Sequence, residues 1–160
     1  MPRLALPLLA VSFALSAPAL ADLAPKRASD IVHLYSADTA CTLLPGPPSG
    51  ASIGTRILPD ATIAPLVVPK GRVLVVREVR AVTTNQVPGT EVFLSVLAGT
   101  PNAAAQYATR KITVDSLGQI SETFAFPLGV VVPAGAGLCV VDAGGLSMGG
   151  TAEGFFAPAK

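Results

Sequence analysis

The stretch VVPKGRVLVV at residues 67–76 carries the pattern that decides the fold class. Valine favours strands, proline favours a turn, and glycine supplies the positive φ that a type II turn requires. The same frame, V-V-P-x-G-x-x-L-x-V, returns as VVPAGAGLCV at residues 131–140. We therefore expect strand, tight turn and strand at both places. Two explanations of the echo stay open: a duplicated half of a sandwich, or two β-hairpins that converged on the same turn chemistry.

Short segments of this kind fill the chain from residue 31 onward and alternate with clusters of glycine and proline. This spacing is typical of an all-β sandwich or closed β-sheet. Residues 73–76 are apolar on both strand faces and predict a central strand, whereas 103–105 suit one helical turn. The predicted strands are residues 31–36, 52–57, 62–68, 72–84, 91–98, 107–115, 120–126, 130–132, 138–142 and 151–157.

The first 21 residues have the layout of a secretory signal sequence. Arg3 gives a basic start, residues 4–15 are almost all apolar, and residues 19–21 form a small-x-small cleavage site. The segment is too short, and too broken by proline, for a membrane span. We expect cleavage after residue 21, with an uncleaved anchor as the alternative.

Cleavage at this point predicts a flexible arm at residues 22–30 and a single β-sandwich domain at residues 31–160. The protein is then exported, to the periplasm or outside the cell. No later segment is apolar over 18 residues, so we expect no membrane span.

The two cysteines, Cys41 and Cys139, predict one disulfide, because an exported protein meets an oxidising environment. Two buried free thiols are the alternative. Neither cysteine stands at a spacing that suits a metal site, and His33 is the one histidine. We therefore predict no metal and no cofactor.

The charge balance argues against nucleic-acid binding. With Arg3 removed, ten basic and ten acidic residues remain, so the chain lacks the excess basic surface that displaces counterions from phosphates. The low content of charged residues has two explanations. Either Ser, Thr, Gly and Pro cover the surface, or an apolar face is buried in a homo-oligomer.

The last part of the chain resembles the closing strands of C1q/TNF-like jelly rolls. The residues that carry the resemblance are VVVPAGAGLCV at 130–140 and the Gly154-Phe155-Phe156 unit that follows. The same residues are similar to uncharacterised secreted bacterial β-sandwich proteins. The resemblance implies a jelly-roll-like topology, a symmetric trimer and a recognition role, with no catalytic residues to carry over.

No catalytic residue is predicted. Residues 145–149 fit the G-x-S-x-G pattern of a nucleophile elbow, which needs a helix after it and a histidine later in the chain. Thirteen residues follow Ser147 and none is histidine. His33 lies far upstream in a predicted strand, where a surface role is the simpler interpretation.

Four side chains are the candidate ligand contacts. Arg77 and Arg80, with Arg72 nearby, suit either an anion-binding patch or a solvated strand end, and the parity of the strand puts Arg77 on the face opposite Arg80. Tyr35 and Tyr107 are the best aromatic platforms in a chain without tryptophan.

Together these features favour an exported, non-enzymatic module for binding, adhesion or structure, with an unknown ligand or protein partner. The alternative is an exported hydrolase whose site is assembled from scattered residues.

Overall fold

The computed structural model of the chain describes residues 25–38, 40–43, 50–101, 103–142 and 148–159. Within these residues one short 3-10 turn, Ala28–Asp30, precedes nine strands. The strands are β1 (Ile31–Asp38), β2 (Gly50–Ile57), β3 (Ile63–Pro65), β4 (Arg72–Thr83), β5 (Glu91–Thr100), β6 (Ala103–Thr113), β7 (Ile120–Val132), β8 (Gly137–Asp142) and β9 (Gly149–Pro158). The all-β prediction is confirmed, whereas the predicted signal sequence lies outside the described residues.

The strands form one continuous sheet in the order β6-β5-β8-β2-β1-β9-β4-β7, with β3 added beside β2. Every strand pair is antiparallel. The sheet curls so that its two end strands approach each other. Arg110 of β6 pairs with Glu122 of β7, and its guanidinium carbon lies 5.3 Å from the ring centroid of Phe124. The two end strands are thus joined by these side chains and by the 114–119 connection, in which Asp115 N donates to Gln119 O.

A single main core fills the inside of the curled sheet. Its members are buried aliphatic residues from every long strand except the edge strand β6, together with two phenylalanines. The largest side chains that are fully buried there include Phe124, Ile53, Leu74, Leu94 and Leu138. We call the surface of the sheet that is turned away from this core the outer face.

The prediction of a central strand at residues 73–76 is confirmed, because β4 lies between β9 and β7. Leu74 and Val76 point into the main core, while Val75 is fully buried on the outer face beside Phe155. Beyond Val76 the pairing shifts at a β-bulge, so that Glu78 is the next residue in register with both neighbours.

The predicted helical turn at residues 103–105 was wrong, because these alanines begin β6 and pair with the end of β5. The two strands approach so closely that Gly99 has no room for a side chain: a Cβ there would lie 2.5 Å from the carbonyl oxygen of Ala103. Pairing with β5 overrides the weak helical preference of alanine.

Two other strand boundaries also differ from the prediction. The segments predicted at 120–126 and 130–132 are one strand, β7, which passes Pro127 at the bulge of an edge strand, where no backbone donor is needed. The strand predicted at 62–68 shortens to β3, because β8 occupies the rest of the same edge of β2.

The two turns of the repeated frame, at residues 69–72 and 133–136, have the predicted local geometry but do not pair the strands on either side of them. Arg72 N donates to Pro69 O and Ala136 N donates to Pro133 O, and each turn holds a glycine at positive φ. Neither turn closes a hairpin, because β3 is not paired with β4, nor β7 with β8. Both turns carry the chain from one half of the sheet to the other.

Candidate binding face

Two of the predicted ligand contacts lie in one row across the centre of the outer face. Arg80 of β4 is in register with Thr151 of β9, and Thr151 is in register with Tyr35 of β1. Their sequence neighbours Val79 and Leu34 point into the main core. Adjacent strands are about 4.8 Å apart, so the backbones of Arg80 and Tyr35 are about 10 Å apart. One ligand of moderate size can contact both side chains.

The Arg80 side chain is held in place by the neighbouring strand. Its Nε and Nη2 atoms donate to the hydroxyl oxygen of Ser121 on β7, at 3.2 and 3.0 Å. A guanidinium has five N–H donors in a fixed plane. Arg80 therefore has donors to spare for an acceptor on a ligand.

The predicted parity of the arginines on β4 was wrong. The bulge after Val76 inserts one residue, so Arg77 is exposed on the same face as Arg80 rather than on the opposite one. Arg72 points away from both and donates to the carboxylate of Asp30 at 2.7 Å. The outer face thus carries Arg77 and Arg80, and Arg72 has a separate partner.

Tyr107 is placed elsewhere by the structure. It is the extra residue of a bulge in β6, where Val96 pairs with Ala108 and Leu97 pairs with Gln106. Three strands, β5, β8 and β2, lie between β6 and β1 in the order of the sheet. Tyr107 is exposed but does not join the row of Tyr35 and Arg80.

A pocket of about 290 Å³ lies beside this row, at the end of the β1–β2 pair. His33, two residues before Tyr35 on the same face of β1, is in register with Ile57 on one side and Glu153 on the other. The Nδ1 atom of His33 lies 3.5 Å from Oε1 of Glu153. The residues that line the pocket are Ala28, Ile31, His33, Ile57, Leu58 and Pro59.

One wall of the pocket is the loop between β2 and β3. Leu58 N donates to Thr62 O, and both the backbone and the hydroxyl of Thr62 donate to Oδ1 of Asp60, at 3.0 and 2.6 Å. These hydrogen bonds favour the ionised carboxyl and hold the pKa of Asp60 below its ordinary value. The loop that carries Leu58 and Pro59 is therefore fixed by its own polar groups.

The other wall is the 3-10 turn Ala28–Asp30. Besides the bond from Arg72, the Asp30 carboxylate accepts a hydrogen bond from Arg27 N at 3.2 Å. Arg56 of β2 donates to Ser29 O at 3.3 Å, and its guanidinium carbon lies 5.3 Å from the Phe156 ring centroid. The last residue of the predicted arm is thus anchored to the sheet.

Within the described residues the polar partner of His33 is the carboxylate of Glu153. The two side chains are 56% and 63% exposed, so water surrounds the pair. No group of three or more His, Cys, Asp or Glu in the described part of the chain is suited to a metal ion. Ser147 lies outside the described residues.

The predicted disulfide between Cys41 and Cys139 is present, with the two Cα atoms 5.6 Å apart. It is not part of the main core. Cys41, Leu43, Leu97 and Val141 form a smaller cluster around it on the outside of β5 and β8. The bond therefore fixes the segment after β1 across the outer surface of the opposite half of the sheet.

Comparison with known proteins adds no family to this description. No protein-family model matches the chain, and no curated protein matches it. Among the described residues, no helix has the length and apolar character needed to cross a bilayer.

Several residues of the face were missed by sequence reasoning. The alternation of Ile31, His33 and Tyr35 could have placed these three on one face, since they are two residues apart in one strand. Nothing in the local sequence joins them to Glu153 or Ile57, because those contacts depend on how distant strands pair.

Proposed function

We propose that this chain is an exported, non-enzymatic binding module that uses the outer face of β1, β9 and β4. The observation that carries the proposal is the row Arg80–Thr151–Tyr35. A guanidinium with unused donors and an aromatic ring stand on one rigid surface, next to a pocket. Binding sites commonly combine apolar surface with a few polar groups in this manner.

The predicted signal sequence and the disulfide support export, to the periplasm or outside the cell. The pairing of His33 with a carboxylate rather than with a hydroxyl favours binding over hydrolysis, because a general base for an attacking hydroxyl must lie within reach of its proton. A hydrolase remains the alternative that experiment must remove.

The binding proposal is tested by mapping ligands on the protein. We would screen the purified protein by ¹H–¹⁵N NMR with a library of neutral, anionic and cationic fragments. Hits should shift the amides of β1, β4 and β9. These chemical-shift changes should disappear in the double variant Tyr35→Ala/Arg80→Ala. They should persist in the matched variant Tyr107→Ala/Lys111→Ala, whose substitutions lie on the edge strand β6. Hits that cluster on β5 and β6, or an absence of hits, would contradict the proposal.

The hydrolase alternative is tested with a panel of chromogenic esters and glycosides. We expect no turnover above that of buffer. Turnover that disappears in His33→Ala or Ser147→Ala, with folding unchanged by circular dichroism, would overturn the binding proposal.

Self-association is tested separately, by light scattering on the protein eluting from a sizing column. A stable trimer would support the resemblance to C1q/TNF-like proteins and assign part of the charge-poor surface to an interface. A monomer at all concentrations would exclude the trimer and leave the binding face intact.

A further inference from the structure

The pocket beside the Tyr35–Arg80 row is preorganised on both sides. Hydrogen bonds from Thr62 to Asp60 hold the loop between β2 and β3, which forms one wall. Hydrogen bonds from Arg72 to Asp30 and from Arg56 to Ser29 O hold the 3-10 turn, which forms the other. Ligand binding therefore costs little conformational entropy in these segments, because hydrogen bonds to side chains already order them. Rigid walls of this kind distinguish a binding pocket from a gap between mobile loops.

The size and lining of the pocket limit what fits. A cavity of about 150 Å³ accommodates benzene in another protein, so about 290 Å³ is ample for one ring with a short substituent. Ile31, Ile57, Leu58 and Pro59 offer aliphatic surface, and desolvating a charged group against them would be costly. Glu153, at the far side of His33, also disfavours an anion.

Among the described residues that line the pocket, His33 is the one with a polar side chain. When the imidazole carries a single hydrogen, the Glu153 carboxylate near Nδ1 favours that hydrogen on Nδ1, and Nε2 is then an acceptor. A purely hydrocarbon ligand that covered this atom would leave it without a hydrogen bond, at a cost in free energy. A hydroxyl on the ligand removes that cost.

We propose that the pocket binds the phenolic ring of a neutral ligand, with the ring against Ile31, Ile57 and Pro59 and its hydroxyl donating to Nε2 of His33. This inference rests on the proposed binding function and names the ligand class. Tyr35 lies outside the pocket lining but is only two residues from His33 on the same face of β1. Substituents on the ring can therefore extend toward Tyr35.

The direct test measures binding of small probes to the purified protein by NMR titration at neutral pH. We expect 4-methylphenol to bind with a Kd of about 1 mM, as suits a fragment of its size. Toluene, which lacks the hydroxyl, should bind about fivefold or more weakly, since one hydrogen bond contributes about that factor. The anion 4-methylbenzoate should bind more weakly than 4-methylphenol as well.

Variants separate the ring contact from the hydroxyl contact. His33→Phe keeps a ring in the lining but removes the acceptor, so 4-methylphenol should lose its preference over toluene. Ile57→Ser should weaken both probes. Phe93→Ser is the matched control, because Phe93 is 50% exposed on β5 and Ile57 is 44% exposed on β2. The control should leave both affinities unchanged.

A further probe distinguishes the source of the phenol. Tighter binding of N-acetyltyrosinamide than of 4-methylphenol would identify a peptide ligand, and the reverse would identify a free phenolic compound.

Equal binding of toluene and 4-methylphenol, or an unchanged preference in His33→Phe, would overturn the inference. If fragments still bind at Tyr35 and Arg80, only the pocket inference fails. If no fragment binds on this face, the proposed function fails with it.

Discussion

Two aspartates hold the two walls of the candidate pocket in place. Asp60 closes the loop after β2 and Asp30 anchors the turn before β1, and each accepts hydrogen bonds from groups close to the pocket. Neither contacts the space that a ligand would fill. Their role is to position Leu58, Pro59 and Ala28, so their removal should affect stability and geometry before it affects chemistry.

Replacing Thr62 by valine should raise the pKa of Asp60 toward its ordinary value, because the hydroxyl that stabilises the ionised carboxyl is lost. Since the pKa in the folded protein is lowered, the interaction stabilises the fold at neutral pH and is lost as the pH falls through the folded pKa. The pKa is measured by NMR titration of the carboxyl carbon. Thr90→Val, in an exposed loop on a different connection, is the control, and an unchanged Asp60 pKa in Thr62→Val would contradict the assignment.

Replacing Asp30 by asparagine should lower the free energy of unfolding by about 1–3 kcal/mol, because it leaves Arg72 without its anionic partner in a part-buried position. Urea unfolding followed by circular dichroism measures the change. Glu91→Gln breaks the exposed pair between Glu91 and Lys111 and should cost less than about 1 kcal/mol. Equal losses in the two variants would show that the 3-10 turn is not anchored as described.

The β-bulge after Val76 in β4 decides which arginines lie on the outer face. On β7 it leaves residues 126–129 opposite Arg77, and Gly129 adopts a φ of 78° there. On β4 it turns Arg77 to the same side as Arg80. A bulge changes which residues share a face because it breaks the two-residue period of the strand.

Replacing Gly129 by alanine should cost about 2–4 kcal/mol. A Cβ there would lie 2.4 Å from Cγ1 of the fully buried Val75, in addition to the strain of a positive φ. Gly135→Ala is the matched control, since Gly135 has a φ of 80° and open space around it, and should cost about 1–2 kcal/mol. Thermal and urea unfolding of both variants compare the two, and a loss no larger at Gly129 would contradict the packing of Val75 against the bulge.

The described residues form a single curled sheet. A disulfide fixes one side of it, and the Arg110 contacts together with the 114–119 connection join its end strands. Cys41 and Cys139 are separated by 98 residues in sequence, and the bond reaches from the segment after β1 to β8. Arg110 links the end strands β6 and β7. Arg110 also donates to the carbonyl oxygen of Thr123, which is in register with Arg80, so this connection adjoins the proposed binding surface.

Replacing both cysteines by alanine should lower the free energy of unfolding by about 4–5 kcal/mol, because a long loop gains conformational freedom in the unfolded chain. Urea unfolding with and without reductant measures this. The reduced wild type should match the variant, and reductant should not change the variant. A variant as stable as the oxidised wild type would contradict a stabilising role for the bond.

The sequence by itself determined the fold class, the pairing of Cys41 with Cys139 and the central position of residues 73–76. Each follows from local information: strand-forming residues divided by turn residues, two cysteines in a chain with a predicted export signal, and a run that is apolar on both faces. The same information named Tyr35 and Arg80 as candidates, though without any reason to join them.

Only the tertiary structure decided that Tyr35 and Arg80 share a row, that Arg77 shares their face, and that His33 meets Glu153 beside a pocket. These contacts depend on the register of β1, β9 and β4, which are distant in sequence, and on a bulge that shifts the parity of β4. Register is set by the burial of whole strand faces in a common core, and no local pattern specifies which distant strands share that core.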